Sequence, residues 1–98
     1  MYIYNVTINL DESVHQEWLH WMKEKHIIDV LKTGCFTGAR VLKVLVEDEG
    51  VTYSVQYDFD TMEIYERYQK EFAPALQKEH MERYSNKFVA HRTLLERV

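Results

Sequence analysis

The sequence predicts an α+β fold of the ferredoxin-like kind, a βαββαβ sandwich whose four-stranded antiparallel sheet carries its helices on one face. Three observations predict it. The apolar pattern switches between a period of two and a helical period along the 98 residues, in the order strand, helix, strand, strand, helix, strand. Two of the strands, 2–10 and 51–59, alternate apolar and polar residues, with Ile3 the single exception. A charged turn ending in Gly50 separates two extended runs, which reads as a hairpin.

The first strand puts Tyr2, Tyr4, Val6, Ile8 and Leu10 on one face and Ile3, Asn5, Thr7 and Asn9 on the other. Asp11, Glu12 and Ser13 then supply capping oxygens, with Gln16 as a capping-box partner, and Val14, Trp18, Trp21 and Met22 take helical spacing. A short apolar turn, Ile27, Ile28, Val30 and Leu31, leads to Gly34 and Gly38. From Arg40 to Glu47 the density of Val and Leu predicts a second strand buried on most of both faces, and Glu47 to Gly50 closes the turn. In the third strand Val51, Tyr53, Val55, Tyr57 and Phe59 alternate with Thr52, Ser54, Gln56 and Asp58. Asp60 with Glu63 marks the next helix start, and Met62, Tyr65, Tyr68, Phe72 and Leu76 continue it until Pro74 forces a kink or restart. A helical stretch from Ala75 to Tyr84 and a strand from Asn86 to Leu95 complete the chain as one domain, residues 1–98.

Composition excludes several classes. Sixteen acids against twelve bases give a net charge of −4 with no long block of either sign, so no phosphate-binding surface and no nucleic-acid partner is predicted. The same element order builds the RNA-recognition module, which stacks bases on aromatics of its central strands. Here Tyr2, Tyr4, Tyr53 and Tyr57 run in phase with Val and Ile and lack a basic rim, which places them against the helices. No apolar run approaches the ~20 residues of a membrane span, and no signal-peptide pattern opens the chain. No membrane partner and a cytoplasmic location are therefore expected. A single cysteine, Cys35, cannot form an internal disulfide and reads as a small core residue. No Gly-rich phosphate loop, nucleotide fingerprint or Ser/His/Asp spacing is present, so no cofactor is predicted.

Several stretches carry a family resemblance: Trp18 to Met22 (WLHWM), His26 to Leu31 (HIIDVL) with Gly34, Phe72 to Gln77 (FAPALQ) with Glu79, His80, Arg83 and Tyr84, and Lys87 to Leu95 (KFVAHRTLL). Over almost its whole length the chain resembles a short bacterial family of unknown function, which in turn is similar to the dimeric α/β-barrel superfamily. In that superfamily two ferredoxin-like sheets face each other around a pocket. Its members include cofactor-free monooxygenases, small isomerases, mutarotases and chlorite-handling haem enzymes. The resemblance implies a homodimer and a pocket-facing histidine after the first helix, the place His26 occupies. The other catalytic residues of those relatives have no counterpart here, so no enzyme class follows.

If the aromatic face of the sheet meets the helices, the other face presents Asn5, Thr7, Asn9, Ser54 and Gln56. Such a face is wet, docked against a second copy, or lines a cavity between copies. These five residues and His91 are the candidate ligand-binding set, with His26 at their edge as the candidate catalytic acid or base. Among the remaining histidines, His80 reads as solvated. The Glu12–His15 and Glu17–His20 pairs have metal-ligand spacing, but such pairs arise readily in an acidic helix and nothing elsewhere matches them, so no metal is assigned. Three readings stay open. The first is a homodimeric barrel that binds or transforms a small organic molecule in a pocket between sheet and helices. The second is a non-catalytic interaction dimer without a pocket, and the third a ligand-sensing domain of the amino-acid-binding kind.

Overall fold

A computed structural model describes residues 1–45 and 49–98. Its strands are β1 (Tyr2–Leu10), β2 (Gly38–Lys43), β3 (Val51–Phe59) and β4 (Phe88–Glu96). They form one antiparallel sheet in the order β2-β3-β1-β4. The two cleanly alternating strands are thus the central pair, and Tyr4, Ile8, Leu10, Tyr53, Val55, Tyr57 and Phe59 are buried beneath the helices. The rings pack closely: Phe59 stacks on Tyr2 at 5.4 Å and on Tyr65 at 5.3 Å, and Phe36 meets Tyr68 edge to face at 4.7 Å. Cys35 is buried in the same core. The sheet of a single chain has two open edges and is not itself a closed barrel.

The first helical segment departs from expectation in two ways. It begins without the predicted side-chain cap, because Asp11 accepts from the Ser13 amide and hydroxyl at 2.9 and 2.6 Å in a local turn. It also does not end at Met22. Helix α1 (His15–Trp21) runs through a π-helical turn (Met22–His26) into α2 (Ile27–Lys32), so the predicted apolar turn at 27–31 is helix. The reason lies in the spacing. Trp18, Met22, His26 and Val30 are all buried and all four apart, and at 3.6 residues per turn each such step drifts by about 40°. The wider turn, in which the Ile27 amide bonds to the Met22 carbonyl five residues back, absorbs that drift and keeps the four on one face.

Helix α3 (Met62–Glu71) is capped by Thr61, whose Oγ1 accepts from the Ile64 amide at 3.3 Å, one residue beyond the predicted start at Asp60. The break before Pro74 falls at Phe72, and Pro74 occupies the first turn of α4 (Ala73–Arg83), where its missing N–H costs nothing.

The expectation that the second strand is buried on both faces is corrected. β2 is an edge strand of six residues, with Leu42 46% and the following Leu45 88% exposed. The end of the predicted strand and the start of its turn, Val46 to Asp48, lie outside the described residues.

Candidate functional site

The helix-covered side of the sheet is incompletely filled. A cavity of about 240 Å³ lies between β1, β3 and β4 on one side and the helices on the other. Val6, Val55 and Ala90 form part of its floor, Trp18, Met22 and Leu76 part of its roof, and the exposed Met81 and Arg92 mark its mouth. Its wall is chiefly aromatic and aliphatic, with a few polar groups that stand out by their number and kind.

Two are imidazoles. His26, brought inward by the π turn, and His80, from α4, are each 9% exposed, and their rings meet edge to face at 5.9 Å. The Trp18 indole N–H donates to His80 Nε2 at 2.8 Å. An indole only donates, so His80 is neutral with its proton on Nδ1. Burial, then the neighbouring His26 and Arg92, push its pKa down to about 4. His26 is also lowered, first by burial, with Lys25 adding and the Glu79 and Asp29 carboxylates opposing. Among the described residues its side chain makes no hydrogen bond, and Nδ1 is buried without a partner. An unpaired buried nitrogen costs about 1–3 kcal/mol.

The phenols of Tyr57 and Tyr68 line the same cavity. Burial, then nearby tyrosines, push both well above the ordinary phenol value, so they stay protonated donors. Arg92 donates from Nε to the Tyr4 hydroxyl at 3.1 Å.

The predicted polar set lies on the other side of the sheet. The register pairs Asn5 with Gln56, Thr7 with Ser54 and Asn9 with Thr52, and sets His91 beside Thr7. These side chains satisfy one another. Asn5 Nδ2 donates to the Thr7 and Thr93 hydroxyls at 3.0 and 3.2 Å, and its Oδ1 accepts from Ser54. Gln56 donates to Ser54 at 3.3 Å and accepts from Arg40, which also forks onto Asp58 at 2.6 and 2.8 Å. Asn9 bonds to the Thr52 hydroxyl and the Glu49 carbonyl. His91 is exposed on this face. The expected grouping is therefore corrected: His26 is not at the edge of the polar face but beneath the helices, with the whole sheet between.

His80 is the residue that sequence reasoning placed wrongly, on a wet helix face. The signal was present in its spacing, since Ala73, Leu76, His80 and Tyr84 form one stripe, and in the need of a buried tryptophan N–H for an acceptor. The Glu-x-x-His pairs of the first helix disperse. His15 meets the Tyr53 hydroxyl at 3.0 Å and Glu17 accepts from Arg83 and Tyr84.

These features define a ferredoxin-like α+β sandwich with an aromatic cavity between its layers. Within that class the chain belongs to the family described as a domain of unknown function, DUF4286, which matches residues 1–98. No curated protein matches it by sequence. Solved structures share the fold. HapK from Hahella chejuensis is 10% identical with a TM-score of 0.75, over 100% of this chain and 93% of that one. A variant of MhuD with two manganese protoporphyrin IX molecules bound per active site is 17% identical with a TM-score of 0.72, over 100% and 95%. A dimeric ferredoxin-like protein from an uncultured marine organism is 19% identical with a TM-score of 0.69, over 100% and 95%. Among the described residues, no helix is long and apolar enough to cross a membrane.

Proposed function

We propose that this protein is a homodimer that binds a small, largely apolar organic molecule in the cavity between sheet and helices, without a nucleotide cofactor. The observation that carries the proposal is His26, a buried imidazole in the cavity wall with no hydrogen bond among the described residues. Buried polar groups are nearly always paired, and an orphan beside an aromatic cavity is what a ligand with one hydrogen-bonding group would complete. The MhuD variant, similar in fold, holds two manganese protoporphyrin IX molecules per active site, which supports ligand binding by this fold. At neutral pH the depressed His26 is an uncharged imidazole able to accept a proton or a hydrogen bond, so acid-base chemistry on the ligand is open to it.

The open face supports the dimer. Its polar centre is internally satisfied, while Leu42, Val89 and Leu95, 46%, 74% and 42% exposed, flank that centre on both edge strands. A second copy covering this face would bury them. The neighbour from the uncultured marine organism is itself dimeric. A dimer with no ligand remains the alternative, favoured by that self-sufficient polar network.

Calorimetric titration with naphthol tests the proposal. Saturable binding is expected, weakened at least tenfold in His26→Ala; binding that survives this substitution unchanged, or no binding of any small aromatic, overturns it. Light scattering at micromolar concentration should give the dimer mass.

A further inference from the structure

We infer that the cavity selects an anion: its ligand is a small aromatic acid whose single carboxylate pairs with Arg92 at the mouth while its ring lies among the aromatic walls. This rests on the cavity being the ligand site. Among the described residues Arg92 is the only charged side chain lining the cavity, and no aspartate or glutamate joins it there. Among the described residues it forms no ion pair, whereas Arg40, Arg67 and Arg83 are each held by a carboxylate, of Asp58, Glu71 and Glu17. Among the described residues its one side-chain hydrogen bond is from Nε to the hydroxyl of Tyr4, a buried residue of the central strand, which anchors the guanidinium and leaves its two Nη groups to bind. A planar fork with two free donors fits a carboxylate bidentately. Its charge is felt inside, since it contributes to holding His80 neutral and Tyr68 within reach of its field. A dianion would leave one charge uncompensated among apolar walls, so one carboxylate fits and two do not. The neutral imidazole of His26 adds an acceptor, so a hydroxyl on the ring would complete the match.

Naphthoate and its neutral isostere naphthamide, titrated calorimetrically into wild type, Arg92→Gln and Arg92→Lys, form the test. Naphthoate is expected to bind wild type at least about tenfold more tightly than naphthamide, the advantage of a charge-assisted contact. That preference should vanish in Arg92→Gln, partly return in Arg92→Lys, which keeps the charge without the fork, and shrink with added salt. Equal binding of the two compounds by wild type, or a preference unchanged in Arg92→Gln, overturns the inference and leaves the cavity as the ligand site. Failure of both compounds to bind overturns the two together. Arg92 lies at an exposed edge but also bonds to the Tyr4 hydroxyl, so its variants should lose no more than that one hydrogen bond's stability; were one unstable, the wild-type preference alone still decides.

Discussion

The two faces of the sheet invert what their composition suggests. The open face carries the hydrogen-bonding side chains, yet Asn5, Thr7, Ser54, Gln56, Arg40 and Asp58 use them on one another. The covered face is built from aromatics, yet it holds the cavity and His26, whose buried Nδ1 has no partner among the described residues. Polar content alone therefore does not mark the unsatisfied group, which here stands beside the cavity and not on the polar face.

The largest effect is expected at Trp18, which is fully buried and roofs the cavity. Trp18→Ala should cost about 3–5 kcal/mol in urea unfolding and abolish ligand binding; an unchanged midpoint would place the residue outside the core.

Next in size is an acid effect confined to the covered face. His80 titrates near 6.5 when unfolded and at about 4 when folded, so between these values the unfolded chain binds the extra proton. Stability is then full above about pH 6.5 and falls on acidification towards pH 4, by on the order of 3 kcal/mol. His80→Gln keeps an acceptor for the Trp18 indole and should flatten this acid limb; a limb of unchanged steepness would show that other groups cause it.

On the open face, Asn5→Ala removes three hydrogen bonds and should cost about 1–2 kcal/mol, with ligand affinity unaltered. Lost binding in that variant would move the site to the polar face. Smallest is the contrast between Leu42→Lys, expected to shift light scattering from dimer to monomer with little change in cavity binding, and Glu63→Lys on exposed α3, expected to change neither.

Much of the fold was legible because β1 and β3 have one wet and one dry face, and that contrast is written directly in their alternation. β2 misled because an edge strand with Val and Leu on both sides looks the same in sequence whether both its faces are covered or one is left open. The π turn misled in another way. Buried positions four apart at Met22, His26 and Val30 fall off a regular helical stripe, so the helix read as ended when it had only widened. Of the residues proposed to form the site, His26 alone was singled out in the sequence, and that through family resemblance. The cavity itself depends on how far the helices stand from β4, a distance that no local pattern encodes.

Whether the ligand lies beneath the helices is decided by following both faces of the sheet in one nitrogen-proton NMR titration with naphthoate. The imidazole signals of His26 and His80 and the Trp18 indole signal should shift together and saturate, while His91 and the Asn5 and Gln56 side-chain amides stay in place. Shifts at His91, Asn5 and Gln56 with the Trp18 indole unmoved would contradict it.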